Sequence, residues 1–78
     1  MAKYRKKPIV VEAEQFWPEN MGNWPKGVYG TSGADAYVVT IHCDRARVSR
    51  GDWVIMEPDG IHHYPCKPDV FKATYEPL

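Results

Sequence analysis

The sequence predicts an α+β domain that is mainly β, built as a small antiparallel meander or half-open barrel of about five strands with a short C-terminal helix. Three observations predict this fold class. Apolar and polar residues alternate at a period of two over several short stretches, which is typical of half-buried strands. Glycine and proline residues separate these stretches, and one helical pattern stands near the C-terminal end. The 78 residues predict a single domain, 1–78.

The first predicted strand covers residues 9–16. Ile9, Val11 and Ala13 fall on one face of this strand, whereas Glu12 and Glu14 fall on the other. Because side chains alternate across a strand, the first face is expected to point inward and the second toward solvent.

A basic N-terminal arm, residues 1–7, precedes this strand. It contains Lys3, Arg5, Lys6 and Lys7, four of the ten basic residues. Such a run predicts weak nucleic-acid binding through phosphate contacts, or else lysines that protect the edge of the next strand from unwanted pairing. The formal net charge of zero argues against a dedicated nucleic-acid-binding protein.

Residues 17–35 predict a long loop. Glycines and prolines interrupt any regular element there. Trp17, Trp24 and Tyr29 supply enough apolar surface for the loop to be compact, and a single helical turn is expected near residues 19–24. A long loop in so small a domain is usually functional or packs on itself.

The second predicted strand covers residues 36–43 and places Tyr37, Val39, Ile41 and Cys43 on one face. A turn at residues 44–46 then leads into a brief strand at 47–49. The apolar inner face of the whole domain is predicted to consist of Ile9, Val11, Val39, Ile41, Val48, Val54 or Ile55, and Phe71.

The fourth and fifth strands are predicted at 53–57 and 61–64. Between them, Pro58-Asp59-Gly60 is typical of a hairpin loop in which glycine takes a positive φ. The Pro65-Cys66-Lys67-Pro68 stretch predicts a break in regular structure. Asp69 is then expected to cap a short helix over residues 70–75.

Three stretches carry a resemblance to a known family. They are K-Y-R-K-K-P-I-V-V-E-A-E-Q-F, G-D-W-V-I and Y-P-C-K-P-D-V-F-K-A-T-Y-E-P-L. Together they resemble a family of short tailed-phage and prophage proteins of unknown function, named for a Pro-Gly-Asp-Tyr-Gly motif. Gly51 and Asp52 match this motif, whereas Arg50, Trp53 and Val54 stand where the family has Pro, Tyr and the second Gly. The resemblance implies a phage or prophage origin and action in the bacterial cytoplasm, and it implies no reaction or ligand.

Two kinds of reactive site are compatible with the sequence. Cys66 neighbours Lys67 and precedes a predicted helix, which favours an activated thiol with His63 or His62 as its base. The same residues, with His42 or Cys43 from another strand, suggest a metal site. Adjacent histidines on a strand point to opposite faces, so His62 and His63 do not readily bind one ion together. We therefore expect no metal, no other cofactor and no catalytic residue, and keep a small metal- or thiol-dependent enzyme centred on His63 and Cys66 as the alternative.

The favoured hypothesis is a non-enzymatic accessory protein that binds a host or phage protein or a small ligand. The long loop and residues 62–67 are expected to form its recognition surface. Arginine binds phosphate and aromatic rings stack on bases, so the side chains suited to line this surface are Trp17, Trp24, Tyr29, Trp53 and Tyr64, together with Arg45, Arg47, Arg50 and the histidines. The residues expected to bind the ligand are Trp24, Arg50, Trp53, His63, Tyr64 and Lys67. The alternative explanation is that these aromatic residues form the core of a small domain.

Cellular location and assembly are the last expectations. No apolar run is long enough to cross a membrane or to act as a secretory signal. We therefore expect a cytoplasmic protein of the bacterial host that has no membrane partner and whose two cysteines stay reduced. Edge strands in so small a sheet are compatible with a homodimer.

Overall fold

A computed structural model describes residues 1–3 and 10–77 and confirms the predicted fold class. The elements are β1 (Ala13–Gln15), a 3-10 helix (Pro18–Asn23), β2 (Tyr37–Val39), β3 (Arg45–Arg47), β4 (Trp53–Met56), β5 (His63–Cys66) and α1 (Pro68–Thr74). The five strands form two antiparallel sheets, one with the order β1-β4-β5 and one that pairs β2 with β3. No helix among these residues is long and apolar enough to cross a membrane.

β1 is shorter than predicted and ends in contact with the turn before β4. Ala13 pairs with Ile55 and Gln15 pairs with Trp53. Beyond the strand, the Phe16 N–H donates to the Asp52 carbonyl at 2.7 Å. Glu12 and Glu14 are exposed as predicted, and Val11 is half-buried. Most of the basic arm and Ile9 lie outside the described residues.

The loop at residues 17–35 is compact and contains the expected helical turn, which is the 3-10 helix. The loop packs on itself, since a Cβ added to Gly33 would lie 2.4 Å from the Pro18 Cβ. Its second half joins the smaller sheet because Tyr29 and Tyr37 exchange two backbone hydrogen bonds of 2.8 and 2.9 Å.

The β2–β3 hairpin differs from its prediction in both its turn and its inward face. The chain turns at Thr40–Asp44, where Cys43 has a φ of 65°. The strand predicted at 36–43 is therefore shortened to Tyr37–Val39. For the same reason, β3 begins at Arg45 rather than at residue 47. The predicted inner residue Ile41 therefore lies in the turn and is 49% exposed.

The core lies between the two sheets and reverses the predicted face of β2. Val38 is buried against this core, whereas Val39 is only half-buried, because Val38 pairs with Ala46 and both point inward. Val48 is buried as predicted, Val54 and Ile55 are both buried although only one of them was expected to be, and Phe71 is half-buried. The fully or nearly fully buried apolar residues are Phe16, Ala36, Val38, Val48, Val54 and Ile55.

The β4–β5 hairpin has the predicted turn but a later returning strand. Gly60 has a φ of 72°, as expected for its place after a type I turn. The Asp59 carboxylate accepts hydrogen bonds from the Ile61 and His62 N–H groups at 2.8 and 2.9 Å, which extends the loop. β5 therefore covers His63–Cys66 instead of residues 61–64. The expected break at Pro65 was wrong because β5 is an edge strand of its sheet, where a missing N–H is tolerated.

Helix α1 begins one residue before the predicted cap. Lys67 is the N-cap and Pro68 takes the first helical position, which suits a residue without an N–H. Asp69 therefore lies in the first turn and not at the cap. The helix places Phe71 parallel to the Trp53 ring, with centroids 4.2 Å apart.

The Gly51-Asp52 pair forms a buried turn. Gly51 has a φ of 84°, a conformation that other residues adopt at a cost, and its N–H donates to the Phe16 carbonyl. Asp52 is 2% exposed, and its carboxylate accepts a hydrogen bond of 2.9 Å from the Ser49 N–H. The Lys67 ammonium lies 3.5 Å from the same carboxylate. This turn joins the ends of β1, β4 and β5.

Candidate functional site

The six residues expected to bind a ligand do not form one surface. Trp24 belongs to the core, since its ring meets Phe16 edge-on with centroids 5.3 Å apart and its Nε1 donates to the Pro18 carbonyl. Arg50 is exposed and pairs with Glu19 at 2.7 Å. The backbone and then Arg50 lower the pKa of Glu19 by hydrogen bonding. These two predicted residues therefore have structural partners.

Trp53 and Tyr64 belong to an aromatic cluster between the larger sheet and α1. The Tyr64 hydroxyl lies 3.1 Å from the Tyr75 hydroxyl, and the Phe71 ring stacks on Trp53. Burial, followed by this hydrogen bond, raises the pKa of Tyr64. Ile55, which is fully buried, lies on the same sheet face as Trp53 and pairs with Tyr64. The cluster thus acts as the second apolar layer of the domain.

His63 lies on the opposite face of the larger sheet. It is 5% exposed, and its Nε2 is buried with no hydrogen-bond partner among residues 1–3 and 10–77. The ring packs against Gly27, where an added Cβ would lie 2.3 Å from Nδ1. His63 also lines an open cleft of about 470 Å³ together with residues that include Glu12, Glu14 and Lys26.

The alternative enzyme centre on His63 and Cys66 is not assembled. These residues are three apart on β5, and alternation places their side chains on opposite sheet faces. Burial, and then the charges of Asp52 and Asp69, raises the pKa of the Cys66 thiol, which disfavours the thiolate. Within residues 1–3 and 10–77, no group of three His, Cys, Asp or Glu side chains is arranged to hold a metal ion.

His63 makes stability depend on pH. Burial, and then the charge of Lys26, lowers the pKa of His63 from 6.5. The unfolded chain therefore takes up this proton more readily than the folded chain. The contribution to stability is complete above the unfolded-state pKa and is lost as the pH falls through the lower folded-state pKa. We expect the free energy of unfolding to fall on acidification below about pH 6.5, by at most about 1.4 kcal/mol per pH unit for this one proton.

Urea unfolding at several pH values checks this expectation. His63→Gln should flatten the dependence below about pH 6.5, whereas His42→Gln, which changes an exposed histidine, should leave it unchanged. Parallel pH profiles for wild type and His63→Gln would contradict the assignment.

The structure brings together a different set of side chains on the outer face of the β2–β3 hairpin. We call this set the Tyr–Arg face: Tyr29, Tyr37, Arg45 and Arg47. The register pairs the Tyr37 ring with Arg47 and pairs Val39 with Arg45, so both arginines lie on the same face as Tyr37. The bridge between Tyr29 and Tyr37 adds the second ring.

The geometry of the Tyr–Arg face is well defined. The two tyrosine rings have centroids 5.8 Å apart at an angle of 35°. The Arg45 guanidinium lies 4.7 Å from the centroid of the Tyr37 ring, in a cation–π contact. Arg47 donates a hydrogen bond to the Ala34 carbonyl, and Tyr29 is 55% exposed. An exposed cationic and aromatic surface is thereby held on a paired backbone.

Sequence reasoning named Tyr29, Arg45 and Arg47 as parts of a broader surface but did not group them. The reason is that the sequence pattern predicted Tyr37 and Val39 on the inner face of β2, pointing toward the core. The alternation Arg45-Ala46-Arg47 is the signal that finds the face, because two arginines flanking an alanine mark the solvent side of a strand.

Comparison of the chain with protein families, with curated proteins and with solved structures finds no match. The candidate site therefore rests on the geometry of the Tyr–Arg face.

Proposed function

We propose that this protein is a phage- or prophage-encoded accessory protein of the bacterial cytoplasm that binds another molecule without catalysing a reaction. The phage origin is supported by the resemblance of its N-terminal, central and C-terminal stretches to the phage family described above. The binding role is supported by the Tyr–Arg face, and that face is the observation that carries the proposal.

The composition of the Tyr–Arg face suits recognition. Tyrosine and arginine are enriched among the residues that contribute most to binding at interfaces, because both combine a flat apolar surface with hydrogen-bond donors. The ion pairs among residues 1–3 and 10–77 are formed by Arg50, His62 and Lys67, so Arg45 and Arg47 have no carboxylate partner there. A partner that carries negative charge is the complement of this surface.

The remaining polar residues support a non-catalytic role. His63 and Cys66 are held apart on β5, and His62 is hydrogen-bonded to Asp59 at 2.5 Å. This contact and two backbone hydrogen bonds lower the pKa of Asp59 to about 2. His62 and Asp59 thus stabilise the loop of the β4–β5 hairpin.

The test is retention of partners from a bacterial lysate on immobilised protein, with bound proteins and small molecules identified by mass spectrometry and bound nucleic acids by sequencing. We expect specific retention by wild type and its loss in the Tyr29→Ala/Arg45→Ala variant. Arg50→Ala is the matched control, because Arg50 is an exposed arginine outside the face. The proposal fails if nothing is retained at micromolar protein concentration, or if the face variant and the control retain the same molecules as wild type.

A further inference from the structure

We propose that the Tyr–Arg face binds single-stranded nucleic acid, with the tyrosine rings stacking on bases and the two arginines contacting phosphates. This inference rests on the proposed binding function and names the class of its ligand. It places the interaction on the β2–β3 hairpin and not on the basic N-terminal arm.

The ring of Tyr29 is the principal stacking surface. More than half of this residue is exposed, whereas one side of the Tyr37 ring is covered by Arg45. Stacking of a base on an aromatic side chain tolerates any sequence, since every base has a π face, and it contributes about 1–3 kcal/mol per base. Tyr29 is therefore expected to stack on one base, and the half-buried Tyr37 ring beside it offers the smaller surface.

The arginines supply the complementary charge along one line. Arg45 and Arg47 are two residues apart on β3 and lie on the same face, about 7 Å from each other by strand rise. The nearby Asp35 carboxylate is turned to its own loop, where it accepts hydrogen bonds from the Thr31 and Ser32 N–H groups at 3.0 and 2.8 Å. The positive charge of the face is therefore available to a polyanion.

The shape of the surface favours an extended strand over a mononucleotide or a duplex. Two clefts beside β1 and β4 include no residue of the Tyr–Arg face. The face lies on a two-stranded sheet on which Tyr29, Arg45 and Arg47 are exposed, whereas small molecules are usually bound in concave sites. A duplex hides the faces of its bases, and the net charge of zero disfavours binding dominated by the backbone. A single strand exposes the faces of its bases, so it can stack on the exposed aromatic residues of a sheet. Its binding then does not depend on backbone contacts alone.

Fluorescence anisotropy tests the inference with a labelled oligothymidine of about ten nucleotides and a mixed-sequence duplex of the same length. We expect the single strand to bind more tightly than the duplex. The slope of log K against log salt concentration should be about −1.4, because two phosphates are contacted on a single strand.

Four variants locate the binding. Tyr29→Ala should weaken binding about 5- to 150-fold, which corresponds to the loss of one stacked base, and Tyr29→Phe should restore it. Arg45→Ala/Arg47→Ala should bring the salt slope close to zero. Arg50→Ala should change neither quantity, and thermal unfolding of each variant excludes a loss of fold.

Three results would overturn the inference. They are no binding of the oligonucleotide at micromolar protein and low salt, equal affinity for the duplex, and loss of binding on deletion of residues 1–7 with the Tyr–Arg face intact. If the oligonucleotide does not bind but lysate partners are lost in the Tyr29→Ala/Arg45→Ala variant, this inference fails and the proposed function stands. If neither assay detects a face-dependent partner, both fail.

Discussion

Phe16→Ala should destabilise the domain more than any other truncation of an apolar residue. Phe16 has 0% of its surface exposed, packs edge-on against Trp24, and lies in the cluster that contains Val38, Val48 and Val54. Truncation of a buried phenylalanine typically costs about 3–5 kcal/mol. A domain of this size has a total stability of roughly 4–12 kcal/mol, so the variant should be mostly or partly unfolded.

The control for Phe16 is the other phenylalanine of the chain. Phe71 stacks on Trp53 but is only half-buried, so Phe71→Ala should cost less than half as much. Urea unfolding monitored by tryptophan fluorescence and circular dichroism measures both variants, and Phe16→Leu provides a folded comparison if Phe16→Ala does not fold. Equal losses at the two positions would show that the core between the sheets is not the main source of stability.

Gly27→Ala is expected to have the second largest effect. Gly27 has a φ of 94°, and a Cβ there would lie 2.3 Å from the buried His63 ring. The left-handed conformation costs about 1–2 kcal/mol for a residue with a Cβ, and overpacking adds a further cost, so we expect a loss of about 2–5 kcal/mol. The measurement is again the free energy of unfolding in urea.

Gly60 provides the matched control for Gly27. Its φ of 72° is also positive, but no atom of the described part of the chain lies within 4 Å of its added Cβ, so Gly60→Ala should show the backbone cost alone. In a His63→Ala background, the cost of Gly27→Ala should fall to that of Gly60→Ala, because the clashing ring is gone. An unchanged cost in that background would mean that His63 does not pack against Gly27.

The alternating patterns predicted the existence of the strands better than their limits. β4 and the Pro58-Asp59-Gly60 turn were predicted closely, because the turn residues specify the hairpin. β2 was assigned the wrong inner face, since Val38 and Val39 are both apolar and a shift of one residue exchanges the two faces of a strand. The inner face of β2 depends on the position of the turn that follows it. Cys43 makes this turn with a positive φ, and no glycine or proline in the sequence marks the position.

The candidate site was less predictable than the fold. Trp24 and Trp53 were expected on a recognition surface, but both pack in apolar clusters, which is the usual role of tryptophan in a small domain. The Tyr–Arg face depends on the bridge between Tyr29 and Tyr37, a pairing that joins a loop to a strand. Local alternation contains no information about such a pairing.

Two of the three stretches on which the expected phage resemblance depends have identifiable structural roles. Gly51 and Asp52 form the buried turn at the end of β1, and the Tyr64 to Tyr75 segment supplies most of the edge strand, the helix and most of the aromatic cluster. The Tyr–Arg face lies outside these stretches.

The strand order β1-β4-β5 also determines when this chain is able to fold as it is synthesised. β1 is made first, but its only strand partner among the described residues is β4, and the loop and the β2–β3 hairpin separate the two. The β2–β3 hairpin can form early because its contacts are local, whereas β1 must await the closure of a long loop. β1 and Phe16 therefore lack their backbone partners in β4 and at Asp52 until translation has passed β4, and a ribosome stalled before that point would display an unpaired strand edge.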